Sequence, residues 1–176
     1  MVHKKWGISV FLSIFIFTFL TTWLTVSIFS VKERKYGLDR VIDGDTVVLD
    51  SGEKIRLLGI DAPDKGTENS DKASVILESI LKDSIVWLEG DRYENDLYGR
   101  RLGWLWVGCE SEPRFRPDDY MKKHRGGENL GDNPVGCESG VLVNEQMIIM
   151  GVVELYFVEG EGELKYEERL RLINNN

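Results

Sequence analysis

The sequence has little cysteine and no excess of positive charge, and each shortage excludes a class of protein. Two cysteines in 176 residues are too few for a disulfide-rich scaffold or a zinc site with four cysteine ligands. Only 22 Lys and Arg oppose 30 Asp and Glu, a formal charge of -8, so the chain cannot coat nucleic acid by bulk charge alone. Hydrophobic residues at 42% and charged residues at 30% are typical of one ordinary globular domain.

The chain begins with a long apolar stretch. After Lys4 and Lys5, residues 6–31 carry no charged side chain, and as a helix they are long enough to cross a hydrocarbon core of about 30 Å. The alternative is a cleavable signal peptide, whose apolar stretch is about 7–15 residues. The stretch here is longer and no Ala-x-Ala site follows it, which favours an uncleaved anchor. We therefore predict a membrane anchor or signal segment at 1–31 and one domain at 32–176.

The charges that flank this segment nearly balance, so they give little information about its orientation. An N-terminal anchor with a short tail usually enters the membrane as a signal-anchor. We therefore expect the domain to lie outside the cytoplasm, or to be secreted if the segment is cleaved. Without Lys4 and Lys5 the domain has 20 basic and 30 acidic residues, a charge of -10. A polyanion that it binds must meet a local cationic patch or a bridging metal ion.

Short apolar and β-branched runs predict strands at 36–43, 46–50, 54–60, 84–93 and 101–107. Apolar residues at helical spacing predict a helix that Asn69 or Ser70 caps and that runs to about Leu81. After a long loop at 108–140 we expect a helix at 141–150, a strand at 152–158 and a helix at 164–173. This order predicts an α+β fold in which the strands form a closed five-stranded β-barrel of the oligonucleotide/oligosaccharide-binding (OB) type, with helices.

Two acidic clusters follow strands that are expected to pair. They are Asp43-Gly44-Asp45-Thr46 and Asp61-Ala62-Pro63-Asp64. Hard divalent cations bind several carboxylate and carbonyl oxygens at about 2.0–2.6 Å, and the two clusters can converge on one such ion. Each cluster alone is also typical of a turn, so both interpretations stay open.

Two arginines lie beside these clusters. If the strand alternates, Arg56 shares a face with Leu58 and Ile60, which is an unusual place for a solvated charge. A partly buried guanidinium needs an anionic partner, which is a phosphate or a carboxylate of Asp45 or Asp61. Arg100 is the second candidate for binding a phosphate; the alternative is that it is an ordinary residue of the hairpin.

Four motifs occur in order along the chain: VIDGDTV at 41–47, IRLLGIDAP at 55–63, DLYGR at 96–100 and VNE at 143–145. Together they resemble the thermonuclease (staphylococcal nuclease-like) family over roughly residues 36–173, with an insertion at 109–138. The resemblance implies a calcium-dependent nuclease that cuts DNA and RNA with little sequence preference. The products would carry 5'-hydroxyl and 3'-phosphate ends, and the catalytic domain would be monomeric.

The resemblance also implies roles for single residues. Asp45, Asp61 and the backbone carbonyl of Ala62 would hold one Ca²⁺ ion. Arg56 and Arg100 would grip the scissile phosphate and stabilise its transition state. These five residues lie in three of the four motifs.

Asp64 would orient or deprotonate the attacking water, although the family usually has Glu at this position. A general base must come within about 2.6–3.2 Å of its water, directly or through another water. Tyr98, Tyr156 and Phe157 are candidates for contacts to the nucleotide.

The insertion has a cysteine near each end, Cys109 and Cys137. A disulfide between them would close the loop and requires an oxidising compartment. The alternatives are two reduced cysteines, or a zinc site that also uses His124 but lacks a fourth ligand. The loop also carries basic residues with interleaved Phe115 and Tyr120, which suits either a single-strand contact or a solvated loop.

A second function remains open at this stage. The chain could be a non-catalytic OB-fold module on a membrane anchor that binds nucleic acid or a protein. The feature that favours this alternative is Asp64 in place of the usual glutamate. A membrane-tethered scaffold that does not bind DNA is a third possibility.

Overall fold

The computed structural model describes residues 35–114, 131–158 and 164–174, all within the unit Arg34–Asn176. These residues form nine strands and three helices, which confirms the predicted α+β class. In chain order the elements are β1 (Lys35–Tyr36), β2 (Leu38–Asp43), β3 (Thr46–Leu49), β4 (Lys54–Leu57), β5 (Ile60–Asp61), α1 (Glu68–Leu81), β6 (Val86–Glu89), β7 (Arg101–Val107), β8 (Val141–Leu142), α2 (Val143–Ile149), β9 (Glu154–Leu155) and α3 (Glu167–Asn174).

Seven of the strands form one mixed sheet in the order β1-β6-β7-β4-β3-β2, and β8 pairs with the end of β7. The β4–β7 pair is parallel. The prediction of a closed five-stranded barrel was wrong, because the sheet has more strands and is not closed. Gly37 divides the first predicted strand, so that β1 pairs with β6 while β2 pairs with β3. The two edges of the sheet are therefore neighbouring segments of the chain, in an OB-like arrangement.

The predicted strand 54–60 is also divided. Gly59 has a φ of 76°, a left-handed conformation that glycine adopts without steric cost. A Cβ at this position would lie 2.7 Å from Leu170 Cδ1. The turn at Gly59 ends β4 and starts β5, which pairs with β9 in a separate two-stranded sheet. As a result, Asp61 returns to the neighbourhood of Arg56.

Helix α1 packs on the sheet with its predicted apolar face, because Ala73, Leu77 and Leu81 are fully buried. The expected N-cap at Asn69 or Ser70 was wrong. Thr67 is the N-cap, since its hydroxyl oxygen accepts a hydrogen bond of 3.2 Å from the Ser70 backbone N–H.

The elements at the C-terminal end are shorter than predicted. Val141 and Leu142 pair with β7 as a strand, so the helix expected at 141–150 begins only at Val143. The strand expected at 152–158 is limited to Glu154–Leu155, and the helix expected at 164–173 begins at Glu167. Pairing with β7 delays the start of α2, and pairing with β5 sets the extent of β9; the local sequence pattern does not contain that information.

The tryptophans of β7 lie in the core, as predicted. Trp104 and Trp106 are fully buried, and Tyr166 packs edge-on against both rings with centroids 5.1 and 5.6 Å away. The predicted anchor at 6–31 lies outside the described residues. Among the residues that are described, no helix is long and apolar enough to cross a membrane.

Cys109 and Cys137 form a disulfide, which confirms the predicted pairing. With both sulfur atoms in this bond, the zinc alternative loses its two thiolate ligands, and His124 lies outside the described residues. Beyond the disulfide, Arg114 and Val135 form an isolated β-bridge that continues the contact between the two ends of the insertion. The basic and aromatic centre of the loop, residues 115–130, also lies outside the described part of the chain.

Candidate active site

The ends of neighbouring strands bring the two acidic clusters together around Arg56. Thr46 on β3 lies opposite Arg56 on β4, and the turn at Gly59 returns Asp61 to the same place. Arg56 Nη1 lies 2.6 Å from Asp45 Oδ2, and Arg56 Nη2 lies 2.6 Å from Asp61 Oδ1. The carboxylates therefore converge, and in this structure they converge on a guanidinium group. The carboxylate partners considered for Arg56 are confirmed.

Arg56 is almost buried, but it does not share the apolar face of its strand. Its side chain is 11% exposed, while its neighbours Ile55 and Leu57 are buried in the core. The predicted alternation with Leu58 and Ile60 was wrong, because the chain turns at Leu58 and Gly59. Arg56 Nη1 forms an ion pair with Asp45 but directs no hydrogen bond to an acceptor among the described residues. Such a donor is suited to an oxygen atom of a bound anion.

Asp45 is the most buried carboxylate of the site. Its Oδ1 accepts a 2.8 Å hydrogen bond from the Thr46 hydroxyl, and its Oδ2 accepts a 2.6 Å bond from the Ala62 backbone N–H. Burial raises the pKa of Asp45, and this effect outweighs the Arg56 charge and both hydrogen bonds. The carboxylate is thus held in a place where its negative charge is incompletely compensated.

Asp43 lies beside Asp45, and its pKa is shifted in the opposite direction. Burial acts to raise the pKa of Asp43, but hydrogen bonds with Asp45 and Thr46 and the charge of Lys65 leave that pKa below its ordinary value. Neighbouring carboxyl groups whose pKa values are shifted in opposite directions are typical of functional sites.

Arg100 is fixed by Asp96, four residues before it in the loop between β6 and β7. Arg100 Nε donates to Asp96 Oδ2 at 2.6 Å, and its backbone N–H donates to Asp96 Oδ1 at 2.9 Å. Burial acts to raise the pKa of Asp96, but the hydrogen bonds from Arg100 and Tyr98 outweigh it, so this pKa is lowered. Arg100 Nη1 also lies 3.4 Å from Thr46 Oγ1, which links it to the Asp45 side of the site.

These groups line a small polar pocket of about 220 Å³. Both arginines and every residue predicted as a metal ligand or as the general base contribute to it, and Asp64 is exposed at its rim. Among the described residues, no group of three or more His, Cys, Asp or Glu side chains is arranged to hold a metal ion. The lining residues are Asp43, Asp45, Arg56, Asp61, Ala62, Pro63, Asp64, Lys65 and Arg100.

A second pocket of about 600 Å³ shares Arg56, Asp61 and Arg100 with the first. Its walls are mostly apolar and include the three aromatic residues predicted to contact a nucleotide. Tyr98 is 85% exposed, and the Arg100 guanidinium carbon lies 5.5 Å from its ring centroid. Tyr156 is 53% exposed.

Phe157 differs from these two tyrosines in its surroundings. The Arg171 guanidinium lies over its ring at 4.5 Å, and the ring packs beside Gly59. One side of Phe157 is therefore already in contact with the protein.

The VNE motif supports the site from the core. Asn144 is fully buried, donates to the Leu58 carbonyl at 2.8 Å and accepts from the Leu105 backbone N–H at 3.1 Å. It thereby fastens the turn after β4 to β7. Glu145 forms an ion pair with Arg169 of α3.

Sequence reasoning did not assign roles to three residues that the structure places at the site. They are Thr46 between Asp45 and Arg100, Asp96 beside Arg100, and Lys65 at the rim of the polar pocket. The i, i+4 spacing of Asp96 and Arg100 could have predicted their ion pair. Lys65 gave none, because its position depends on how the turn before α1 is folded.

Known proteins show a similarity over part of this chain. A thermonuclease of Staphylococcus intermedius is 37% identical over 89 residues, which cover 46% of this chain and 53% of that protein. A thermonuclease of Staphylococcus hyicus is 36% identical over 90 residues with the same coverage, and Protein ParB of Escherichia coli is 37% identical over 78 residues, 43% of each chain. The chain thus spans about half the length of the curated relatives that it matches, and no family model matches it. This similarity confirms the resemblance to the thermonuclease family that the four motifs indicated.

Proposed function

We propose that this chain is a nuclease that hydrolyses phosphodiester bonds of DNA or RNA on its OB-like sheet. The observation that carries the proposal is the polar pocket itself. It brings two arginines and four aspartates together and shares Arg56, Asp61 and Arg100 with an apolar pocket that exposed tyrosines line. The first pocket suits a phosphate group and the second suits a base with its sugar. The partial similarity to thermonucleases supports the same reaction.

Arg56 and Arg100 are the groups that would bind the scissile phosphate. Both are held by carboxylates, Arg56 by Asp45 and Asp61, and Arg100 by Asp96. The Asp96 contact can remain while Arg100 binds a phosphate, so Arg100 needs little reorganisation when negative charge develops on the phosphate oxygens. Arg56 becomes available when Asp45 and Asp61 hold a cation in its place.

The donor set fits one hard divalent cation, which we propose to be Ca²⁺. The carboxylates of Asp45 and Asp61 and the carbonyl of Ala62 are oxygen ligands of the type that Ca²⁺ prefers. The negative charge of the buried Asp45 carboxylate, whose pKa is raised, is also only partly compensated by Arg56. Both carboxylates contact Arg56 in this structure and would turn from it to hold the ion. When bound, the ion supplies positive charge beside the phosphate.

Asp64 is the proposed general base. It is exposed at the rim of the polar pocket, where a water molecule has access. Accepting the proton of that water would promote attack on phosphorus and yield a 3'-phosphate and a 5'-hydroxyl. The larger pocket would contact the nucleotide through Tyr98, Tyr156 and Phe157 with little preference among bases, because every base has a π-face.

A non-catalytic module that binds nucleic acid or a protein is the second candidate. One observation favours it: Arg56 already has two carboxylate partners at 2.6 Å, and these must be exchanged before it can act on a phosphate.

The test is digestion of single-stranded DNA by the full chain in a non-ionic detergent. We expect cleavage that requires Ca²⁺ and stops when a chelator is added. Arg56→Ala together with Arg100→Ala should lower kcat by about 10²-fold or more. Arg101→Ala is the matched control, because Arg101 pairs with Glu53 and lines neither pocket. DNA that is bound but stays intact in excess Ca²⁺ would favour the non-catalytic module.

We also propose that the domain acts outside the cytoplasm, as a monomer, either anchored through residues 6–31 or secreted after their removal. The disulfide between Cys109 and Cys137 supports an oxidising compartment. Mass spectrometry of the native N-terminus distinguishes the anchored from the cleaved form.

A further inference from the structure

We propose that Lys65 is a third phosphate-binding residue of this site, which contacts a phosphate next to the one bound by Arg56 and Arg100. The inference rests on the proposed function and concerns how the nucleic-acid chain is held. None of the four motifs contains Lys65, so the resemblance assigns it no role.

The position of Lys65 is the first argument. Its side chain lines the polar pocket, together with Arg56 and Arg100 and the four aspartates. It is therefore the third cation that faces this pocket among the described residues. Because the domain as a whole is acidic, these three are the cations within the described part of the chain that can attract a phosphate chain into the pocket.

The second argument is how loosely the ammonium group is held. Lys65 Nζ lies 3.5 Å from Asp43 Oδ2, and its side chain is 63% exposed. By contrast, Arg56 is 11% exposed and lies 2.6 Å from each of two carboxylates. An exposed ion pair of this kind contributes little to stability, so Lys65 can exchange Asp43 for a phosphate at small cost.

The third argument is that the backbone beneath Lys65 is fixed. The Thr67 hydroxyl donates to the Asp64 carbonyl at 3.0 Å and accepts from the Ser70 N–H at the start of α1. Gly66, with a φ of 89°, completes this turn. Lys65 therefore projects from a fixed point on the rim, and only its flexible side chain has to move. The turn that caps α1 also presents the lysine to the substrate.

The salt dependence of binding tests this role. The full chain in non-ionic detergent is titrated against a fluorescein-labelled oligothymidylate in a chelator, and the Kd is measured over a range of NaCl concentrations. Each phosphate contact on a single strand contributes about 0.7 to the slope of log Kd against log salt. Lys65→Ala should lower the slope by about 0.7 and raise the Kd about fivefold at roughly 0.1 M NaCl. Lys65→Arg should keep both values.

Lys82→Ala is the matched control, because Lys82 is exposed at the opposite end of α1. The proposal is wrong if Lys65→Ala leaves the slope unchanged, if Lys82→Ala lowers it equally, or if the wild-type chain does not bind. With Ca²⁺ present, Lys65→Ala should raise KM and leave kcat unchanged. A reduced slope in a chain that never cuts DNA would support Lys65 binding and reject catalysis. Cleavage of DNA together with an unchanged slope in Lys65→Ala would support catalysis and reject the role of Lys65.

Discussion

At the scale of single residues, the reach of Asp64 limits the proposed chemistry. Asp64 lies in the turn between β5 and α1, where its backbone carbonyl accepts from Thr67 and its carboxylate is exposed. Its side chain is one methylene shorter than the glutamate that is usual in the resembled family. General bases act at hydrogen-bond distance from the proton they remove, so a shorter side chain holds the water less well.

We expect Asp64→Glu to increase kcat because the carboxylate then reaches further into the polar pocket. Asp64→Asn should lower kcat by about 10²-fold or more, the usual contribution of a general base. Steady-state digestion of single-stranded DNA measures both effects, and Asp71→Asn on the exposed side of α1 is the control. Equal rates for Asp64→Asn and the wild type would remove Asp64 from the mechanism.

At the scale of elements, a buried ionic network joins β6 to the segment before α3. Glu89 on β6 accepts hydrogen bonds from Lys165 Nζ at 3.0 Å, Trp106 Nε1 at 2.9 Å and the Tyr166 hydroxyl at 2.9 Å. Burial raises the pKa of Glu89 despite these three donors. Tyr166 is in turn the ring that packs on both core tryptophans, so the network fixes the C-terminal segment that forms one wall of the larger pocket.

Removal of the cation from this network should destabilise the fold in a pH-dependent way. Lys165→Met leaves the Glu89 carboxylate buried without its charged partner, at a cost of about 3 kcal/mol near neutral pH. Because the folded-state pKa of Glu89 is raised, its contribution to stability is greatest below the ordinary value of 4.5 and falls as the pH rises through the folded-state pKa. The loss in Lys165→Met should therefore shrink on acidification.

Urea unfolding of both proteins at about pH 7 and about pH 4.5 measures this difference. Lys54→Met, which changes an exposed lysine of β4, is the control. The same loss of unfolding free energy at both pH values would mean that Glu89 does not carry the effect.

At the scale of the whole molecule, the charge distribution limits how tightly nucleic acid can bind. The formal charge is -8, and among the described residues three cations face the polar pocket: Arg56, Arg100 and Lys65. With three phosphate contacts on a single strand, the slope of log Kd against log salt should be about 2. Titration of the wild-type chain with an oligonucleotide over a range of NaCl concentrations measures it. A slope of about 5 or more would indicate a wider cationic surface than this pocket.

The sequence was sufficient to predict the candidate site, because the residues of this site lie in short motifs in strands and in the turns between them. The sequence placed Asp45, Arg56, Asp61 and Arg100 at one site, and the structure brings these four side chains around one pocket. It also paired Cys109 with Cys137 and assigned Trp104 and Trp106 to the core. The cysteine and tryptophan predictions rest on residue type and position along the chain, whereas the assignment of the four site residues rested on the resemblance of the ordered motifs to the thermonuclease family.

Tertiary structure decided what depends on contacts between distant segments. Glu89 had no recognisable role in the sequence, because its three donors come from residues 17 to 77 positions away. The open sheet, the break at Gly59 and the late start of α2 depend on which strands pair. The low cysteine content and acidic charge excluded a coating protein and a disulfide-rich scaffold from the sequence alone. Only folding gathers a few cations from β4, the turn before α1 and the loop before β7 into one pocket, because the average charge of a chain does not describe the local field at a site.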